Sequence, residues 1–559
     1  MQIIKNAWDL GKDFFIKSEY KKKAIALFIT SIILELVMVY FNVILNEWNN
    51  DFYTSLQEYN KDGIYKALGT FFIIVFFYIL VFVSKYVFQS ILTIEWRKWM
   101  TQDYINKWTN NDAYYGTNNL FRAKNDNPDQ RISEDISYFI DYTLSLTLGL
   151  LNSIVSLISF VTILWTLSGV LKFTLLDTNF AIKGYLVWLS VIYAGIGTVV
   201  AYRIGRDLPL IDYLQEQKEA SFRFRMMRFR ENSENIAFYK GVLFEKGVFK
   251  LAIDKIVDNF YIYMHINKRL SIWTNLYNNM TTVVPILAAC PRYFKKEITL
   301  GKVMQIYGAF REVHTALSFL VNSFRSIAAY KAVIIRLTEF NANIENWHQT
   351  SQTKAIAITN EGDQLSLNNL NIQTPFGKSL IINLNVTFKH SESYIITGKN
   401  GAGKSTLLRA IRGLWPFGSG EINIPSDKNI FYIPQRTYMP FGTLAEVIFY
   451  PKTCLTENDK DYIKSLMKTA RIDYLSDRLD EEENWGIILS LGEQQKIALI
   501  RAILSLPDIL IMDESTNALN EEDEEIFFKL LKEKLPKATI ITIGHKSALK
   551  QYFNNEVKV

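Results

Sequence analysis

Long apolar runs predict membrane-spanning helices in the first 335 residues of this 559-residue chain. Five of these runs carry at most one charged residue: 24–45, 67–84, 142–171, 184–202 and 270–291. About 20 helical residues, at 1.5 Å each, cross the roughly 30 Å hydrocarbon core of a bilayer. A sixth run, 300–335, contains several charged side chains, and we expect it to span with those groups facing a wet interior. The pattern therefore predicts six transmembrane helices.

The lysine and arginine content of the connecting segments predicts the orientation of these helices. Lys and Arg number 6, 6 and 13 in 1–23, 95–141 and 203–269, and 2, 2 and 4 in 46–66, 172–183 and 292–302. Because cytoplasmic loops are the basic ones, both termini are expected in the cytoplasm. The first 23 residues are amphipathic and lack a cleavable signal pattern, so we expect them to lie along the membrane surface.

Several polar side chains within the predicted helices are candidates for a substrate path. Glu35 stands in an apolar run, where a charge near the bilayer centre costs about 2.5–3.5 kcal/mol. The last span adds Arg311, Glu312, His314 and Arg325. The set is typical of a hydrated path for an amphipathic solute. Alternatively, these groups pair with each other or with neighbouring helices, and Lys85 reaches the interface without a role.

The second half changes to short β-branched runs that alternate with helical stretches, which predicts an α/β domain. The run SYIITGKNGAGKSTLLRAIRGL has the strand, glycine-rich turn and helix of a phosphate-binding loop. Its nucleotide-binding residues are Gly398, Lys399, Asn400, Gly401, Ala402, Gly403, Lys404, Ser405 and Thr406. We expect backbone amides to surround the phosphates, Lys404 to meet the β and γ phosphates, and Ser405 to bind Mg²⁺. The loop therefore predicts ATP and Mg²⁺ as ligands.

A second acidic motif supports this interpretation. The apolar strand DILIMDE ends in Asp513 and Glu514, at the edge of the sheet where the phosphates must lie. We expect Asp513 to hold the metal ion and Glu514 to polarise the attacking water. An acidic pair at a strand end is by itself often a solvated turn, but together with the phosphate loop it predicts nucleotide hydrolysis.

The segment LSLGEQQKIALIRAIL precedes that strand and resembles the signature of ABC transporters. Gln435 is similar to the glutamine loop, and His545 to the switch histidine. The resemblance implies that two chains close head to tail, with ATP between Lys404 of one and the signature residues of the other. Those signature residues are Ser490, Gly492 and Gln494. It also implies catalytic roles for Gln435 and His545 and a metal contact for Gln435.

Membrane-domain motifs narrow the resemblance. NEWNNDFY, DNPDQRISEDI and ENSENIAFYKG resemble the half-transporter group that contains the peroxisomal fatty-acyl transporters and the bacterial BacA/SbmA-related peptide and cobalamin carriers. The resemblance implies an exporter-like helical domain and a homodimer whose twelve helices surround one path. We expect SENIAFYKG to lie on a cytoplasmic helix extension beside the ATP-binding domain. The alternative is an amphipathic helix without a transmitting role.

Two features depart from the family pattern. The SALD loop reads Asn517, Ala518, Leu519 and Asn520 here, so a carboxylate is replaced by an amide and communication between two ATP sites is expected to change. Phe376 is the candidate for stacking on adenine, although an exposed turn phenylalanine without that role fits the sequence nearly as well.

Composition excludes other classes. Hydrophobic residues make up 49% and charged residues 21%, which excludes a disordered chain. The net charge of +6 is local, so nucleic acid is not an expected partner. The two cysteines are far apart, which excludes a disulfide framework.

These observations predict a fused permease and ATPase with an amphipathic segment 1–23, a six-helix domain 24–345, a linker 346–360 and a nucleotide-binding domain 361–559. The predicted function is ATP-driven transport of a peptide, a cobalamin-like solute or an acyl-CoA. A bacterial inner membrane is the expected location, and a second copy, lipid and the solute are the expected partners. The alternatives are an ATP-gated channel and a regulatory membrane ATPase.

Overall fold

The structure, a computed structural model, describes residues 2–120, 127–175, 178–352, 355–544 and 551–559. It divides into two compact units. The first contains Met1–Lys107 and Asp126–Ala342, and the second contains Trp108–Asn125 and Asn343–Val559. The second unit is therefore assembled from two separate parts of the chain.

Long helices make up most of the first unit. The α-helices from the amino terminus to Gln352 are, in chain order, α1 (Gln2–Ile16), α2 (Lys21–Gln57), α3 (Lys61–Thr109), α4 (Ala113–Asn119), α5 (Pro128–Gln130), α6 (Ile136–Ser168), α7 (Tyr185–Gly205), α8 (Leu208–Glu231), α9 (Ser233–Phe238), α10 (Val242–Phe294), α11 (Leu300–Leu317), α12 (Phe319–Asn322) and α13 (Phe324–Gln352). A hairpin, β1 (Val170–Leu175) and β2 (Thr178–Lys183), joins α6 to α7. Helix α4 belongs to the second unit.

The described helices agree with four of the six predicted membrane spans. By length and composition, four helical stretches of the described residues can cross a membrane: Lys21–Gln57, Lys61–Asn118, Pro128–Ser168 and Tyr185–Glu231. The fifth predicted run lies within α10 and is more polar, because it includes Asn275, Asn278 and Thr281. The sixth run is not one helix, since turns at Ser318 and Ser323 divide it into α11, α12 and the start of α13.

Helix α11 occupies the centre of the first unit, where it packs against α2, α6, α7 and α10. Its buried side chains Ile306, Phe310 and Val313 share one apolar core with Phe160 of α6 and Leu186 of α7. Because lipid tails are as apolar as these side chains, van der Waals packing rather than the hydrophobic effect favours these helix contacts.

The amino-terminal segment is also packed against protein. Phe14 of α1 is fully buried and its ring stacks on Trp96 of α3 at 5.4 Å. The SENIAFYKG motif contains the short helix α9, which lies between α8 and α10, and Phe238 and Tyr239 there are strongly exposed.

The second unit contains two main sheets and a helical part. Its strands are β3 (Ile356–Thr359), β4 (Leu365–Gln373), β5 (Ser379–Phe388), β6 (Ser393–Thr397), β7 (Gly418–Asn423), β8 (Ile430–Ile433), β9 (Gly442–Thr443), β10 (Glu482–Glu483), β11 (Ile509–Asp513), β12 (Thr539–Ile543) and β13 (Asn555–Lys558). Its remaining helices are α14 (Lys404–Ile411), α15 (Leu444–Phe449), α16 (Glu457–Thr469), α17 (Trp485–Ile488), α18 (Leu491–Ser505) and α19 (Glu521–Lys534).

The sheet that carries the phosphate-loop and acidic motifs is parallel, in the order β13-β6-β12-β11-β8. Strands β11 and β12 are buried along nearly their whole length, as expected for a parallel sheet covered on both faces. The second sheet has the order β3-β7-β4-β5. Because β6 and β11 run in the same direction, their carboxyl ends meet at one edge of the sheet.

The predicted linker 346–360 is largely structured, since α13 extends to Gln352 and β3 joins the second sheet. The indole of Trp347 in α13 is almost fully buried and donates a 2.7 Å hydrogen bond to the carbonyl of Asn111. Gly116 lies directly against this indole, so a β carbon there would clash with it. The segment around α4 thus forms part of the packing of the second unit.

Candidate nucleotide site

The phosphate-binding loop connects β6 to α14. Lys404 begins α14 and is buried, and its Nζ donates to the carbonyl oxygens of Gly398 (2.9 Å) and Lys399 (3.1 Å). Gly403 has a φ of +100°, and a β carbon there would lie 3.0 Å from Cβ of Leu380. Glycine is therefore required at this turn for both its backbone conformation and the available space. The predicted loop residues Asn400, Gly401, Ala402 and Thr406 lie in the same turn and first helical turn.

The loop and β11 bring a hydroxyl and a carboxylate together. Ser405 Oγ donates to Oδ1 of Asp513 at 3.2 Å. Burial raises the pKa of Asp513 above its ordinary value, whereas the Ser405 hydrogen bond lowers it by less. A hydroxyl and a carboxylate oxygen are the ligands that Mg²⁺ prefers, so the pair fits the predicted metal contact.

Glu514 follows Asp513 and adopts a left-handed backbone conformation with φ +47°. Its Oε2 accepts hydrogen bonds from Gln435 Nε2 (3.0 Å) and Asn517 Nδ2 (2.8 Å). The structure thus brings the predicted residues Ser405, Asp513, Glu514 and Gln435 close together. It adds Asn517, which the sequence marked only as a departure from the family pattern.

The signature segment begins a second helix. Ser490 is the N-cap of α18: its hydroxyl accepts from the amide of Glu493, and Glu493 Oε2 accepts in return from the amide of Ser490 at 2.7 Å. Gly492 and Gln494 lie in the first turn of α18, and Gln494 Nε2 donates to the carbonyl of Leu489 at 2.9 Å. Ser490 therefore fixes where the helix starts and where its amino-terminal amides lie.

A buried amide connects the signature helix with the loop after Glu514. Gln495 Oε1 accepts from the amide of Ala518 at 3.0 Å, and Lys496 forms a 3.0 Å ion pair with Asp523. Asn520 caps α19 by accepting from the amide of Asp523 at 2.7 Å. The asparagine thus keeps the capping function of the carboxylate that the family pattern has there.

Arg501 near the end of α18 makes a further connection. Its guanidinium is buried and donates to the carbonyls of Val447 (2.6 Å) and Tyr438 (2.7 Å). Desolvation lowers the pKa of Arg501 to about 10. These hydrogen bonds connect α18 to α15 and to the segment after Gln435. The sequence did not predict them, because a single arginine in an apolar helix belongs to no recognisable motif.

Of the two other residues predicted for the nucleotide site, only Phe376 lies among the described residues. Phe376 is 98% exposed in the turn between β4 and β5, where it is available for stacking and equally for solvent. His545 lies outside the described residues.

The polar residues of the predicted substrate path fall into separate groups. Glu35 is buried and forms a 2.5 Å ion pair with Lys85, and it accepts a 2.6 Å hydrogen bond from Asn152. Lys85 therefore has a partner that the sequence did not suggest. Arg325 pairs with Asp212 at 2.6 Å.

Two different cavities receive members of the predicted path. Glu35 and Lys85 line a cavity of about 580 Å³, whereas Arg311 and His314 line another of about 340 Å³. Glu312 lies 3.6 Å from the Arg311 guanidinium. Among the predicted residues, Arg311 and Glu312 thus pair with each other, and Glu35 and Arg325 pair elsewhere.

The phosphate loop, the acidic pair and the capped signature helix define a nucleotide-hydrolysing domain of the phosphate-loop class, fused to helices of membrane-spanning length. Residues 12–294 match the family model of ABC transporter transmembrane region 2, and residues 381–517 match the family model named ABC transporter. The chain belongs to the ABC transporter family.

Similar proteins agree over nearly the full length. An uncharacterized ABC transporter ATP-binding protein of Haemophilus influenzae is 34% identical, over 97% of this chain and 90% of the relative. The inner membrane ABC transporter ATP-binding protein YddA of Escherichia coli is 32% identical, over 96% and 94%. The chloroplastic ABC transporter D family member 2 of Arabidopsis thaliana is 29% identical, over 92% and 80%.

A solved structure supports the fold. A bacterial Atm1-family ABC exporter with ATP bound is similar with a TM-score of 0.72 and 15% identity, covering 95% of this chain and 92% of that one. The predicted family and the predicted exporter-type fold are confirmed. The protein is an ATP-hydrolysing ABC transporter of a membrane.

Proposed function

We propose that this protein uses ATP hydrolysis to move an amphipathic or hydrophilic solute across a bacterial inner membrane, as a homodimer with cytoplasmic termini. The observation that carries the proposal is the cluster of Ser405, Asp513, Glu514 and Gln435 beside the phosphate loop. The similar inner membrane protein of Escherichia coli supports this cellular setting.

The loop residues bind and orient the phosphates. The amides of the 398–403 turn and the amino terminus of α14 favour anions. The Lys404 ammonium donates to two loop carbonyls, and it would exchange these bonds for contacts with the β and γ phosphates. Ser405 and Asp513 would hold Mg²⁺, which when bound neutralises charge on the phosphate oxygens.

Glu514 is placed to act on water. Its carboxylate is oriented by Gln435 and Asn517, which both donate to the same oxygen. As the base, it accepts a proton from the attacking water while the bond between the γ phosphorus and the bridging oxygen breaks, which yields ADP and phosphate.

Coupling to transport requires a second copy. We propose that the α18 amino terminus of one chain meets the γ phosphate bound to the other, so that ATP has higher affinity for the closed dimer. A ligand shifts a conformational equilibrium only by its differential affinity for the two states. Within each chain, hydrogen bonds from α18 to Ala518 and to Tyr438 would transmit the movement of α18 to the loops on either side of it.

The experiment compares wild type with Glu514→Gln in proteoliposomes. We expect the wild type to hydrolyse ATP and to accumulate one of three labelled solutes against its gradient: a peptide, cobalamin or a long-chain acyl-CoA. Glu514→Gln should retain ATP binding, lose about 100-fold or more of the hydrolysis rate and fail to accumulate solute.

The same experiment separates the alternatives. An ATP-gated channel would equilibrate the solute without accumulation, and Glu514→Gln would still open it. A regulatory ATPase would hydrolyse ATP with no solute flux. Full hydrolysis by Glu514→Gln would contradict the assigned base.

A further inference from the structure

A polar cavity lies in the membrane unit between α10 and the α11–α12 region. Its volume is about 340 Å³. Each described residue that lines it carries a polar side chain, and none of them is acidic. Small-molecule sites range from about 300 to 1,000 Å³, so this cavity is large enough for a charged group of a solute rather than for a whole large solute.

Arg311 supplies the positive charge of this cavity. Its side chain is 59% exposed, and its ion-pair partner Glu312 is 3.6 Å away, beyond a normal hydrogen bond. By contrast, the charges of Glu35 and Arg325 are matched by partners at 2.5 and 2.6 Å. Arg311 thus pairs with Glu312 only at long range, and its exposed guanidinium can also bind a carboxylate or phosphate in a bidentate manner.

His314 adds a second group to the same wall. It is 8% exposed, and its Nε2 has no hydrogen-bond partner among the described residues. The imidazole packs at an angle against two aromatic rings, with its centroid 4.9 Å from that of Tyr277 and 5.9 Å from that of Tyr193. A buried polar atom without a partner is costly and uncommon, so a ligand that bonds Nε2 would recover that cost.

The two tyrosines make this wall rigid. Their rings stack at 4.5 Å, and each hydroxyl donates to the backbone carbonyl of the other residue, Tyr193 at 2.5 Å and Tyr277 at 3.0 Å. This reciprocal pair joins α7 to α10 beside His314. A fixed wall lowers the entropy that binding must overcome.

Other polar side chains line the same cavity as Arg311 and His314. The hydroxyls of Thr281 and Thr315 already donate to carbonyls of their own helices. The side-chain amides of Asn278 and Asn322 line the cavity and add neutral donors. Arg311, His314 and these amides together favour an anion.

We propose that this cavity binds the carboxylate or phosphate group of an amphipathic solute. The proposal rests on the proposed transport function, in which that solute is the cargo. It assigns Arg311 as the charge partner and His314 as the hydrogen-bond partner, and it separates this site from the Glu35 cavity, where Lys85 balances the charge.

Direct binding tests the site without transport. Nucleotide-free full-length protein in phosphatidylcholine nanodiscs is dialysed against labelled N-octanoylglycine, its uncharged amide, and octyl phosphate. We expect the two anions to bind at least tenfold more tightly than the amide. Arg311→Gln should remove this preference, and His314→Phe should weaken anion binding about threefold or more.

Lys302→Gln is the matched control, because it removes one positive charge from the exposed start of α11, outside the cavity. It should bind the anions as wild type does. Circular dichroism and thermal melting establish that each variant is folded. Anion preference that survives Arg311→Gln, or that Lys302→Gln reduces equally, overturns the proposal.

A second arm separates a solute from a lipid headgroup. The nanodiscs are prepared with phosphatidylglycerol as well, and the lipid retained by the purified protein is quantified. Retention of phosphatidylglycerol that depends on Arg311 identifies a lipid as the source of the anion. If Glu514-dependent uptake fails for every solute while anion binding follows Arg311, the transport function fails and the site stands.

Discussion

The side-chain amide of Asn517 donates a 2.8 Å hydrogen bond to Oε2 of Glu514, the same oxygen that accepts from Gln435. The Glu514 carboxylate thus has one oxygen fixed by two neutral donors. Asn517 stands where the family pattern has a serine, and the longer amide reaches an acceptor three residues back.

Asn517→Ala is expected to lower kcat for ATP about tenfold with little change in the KM for ATP. A hydrogen bond to a charged group contributes about 1.5–3 kcal/mol, and this one orients the base without contacting the loop. Steady-state ATPase assays in nanodiscs measure both constants. Asn517→Gln serves as the amide-retaining control, and an unchanged kcat in the alanine variant would show that Gln435 alone orients Glu514.

Protonation of Asp513 is expected to change both stability and metal affinity at acid pH. Burial raises its pKa above the ordinary 3.8, so the folded protein binds this proton more readily than the unfolded chain. Without metal, the free energy of unfolding therefore rises as the pH falls through the window just above 3.8, because the folded protein takes up the proton first. Once Asp513 is ionised, its buried charge opposes folding.

Thermal melting without Mg²⁺ in that pH window measures the effect, and Asp513→Asn should remove it. With Mg²⁺ present, the wild type should need more metal as the pH falls. Equal pH dependence of melting in both proteins would contradict the assignment to Asp513.

The Glu35 and Lys85 pair is expected to behave as a unit. Removing one partner leaves an uncompensated charge in the membrane domain, so Glu35→Gln or Lys85→Met should each destabilise by about 3–5 kcal/mol. The double variant should recover most of this loss. Melting temperatures in detergent, arranged as a double-mutant cycle, measure the coupling. A recovered double variant that no longer transports would return Glu35 to the substrate path.

Arg501→Leu is expected to destabilise the nucleotide-binding unit by about 3 kcal/mol or more. The change leaves the carbonyls of Val447 and Tyr438 without their buried donor. Arg501→Lys should recover part of the stability, since an ammonium can reach one of the two carbonyls. Thermal inactivation of ATPase activity measures this, and an unchanged profile in Arg501→Leu would argue against the connection.

The sequence predicted those parts of the site that depend on short stretches of chain. The 398–406 loop and the Asp513–Glu514 pair are contiguous, so spacing alone identifies them. The glutamine loop and the signature segment were recognised by resemblance, and their contacts with Glu514 and Ala518 became visible only in the fold.

Other contacts could not be predicted because they join distant residues. Glu35 and Lys85 are 50 positions apart, and their pairing depends on how α2 lies against α3. The break of the sixth apolar run at Ser318 and Ser323 was also missed, since serine is compatible with helices and turns alike.

The burial of Trp347 has a practical consequence for work with fragments. A soluble ATPase piece cut from the carboxyl-terminal part of the chain would lack Gly116, which packs against this indole, and Asn111, whose carbonyl accepts its hydrogen bond. Such a piece would expose a tryptophan to water and tend to aggregate. A fragment begun after Trp347, or one with the 108–120 segment attached through a flexible tether, would avoid this exposed surface.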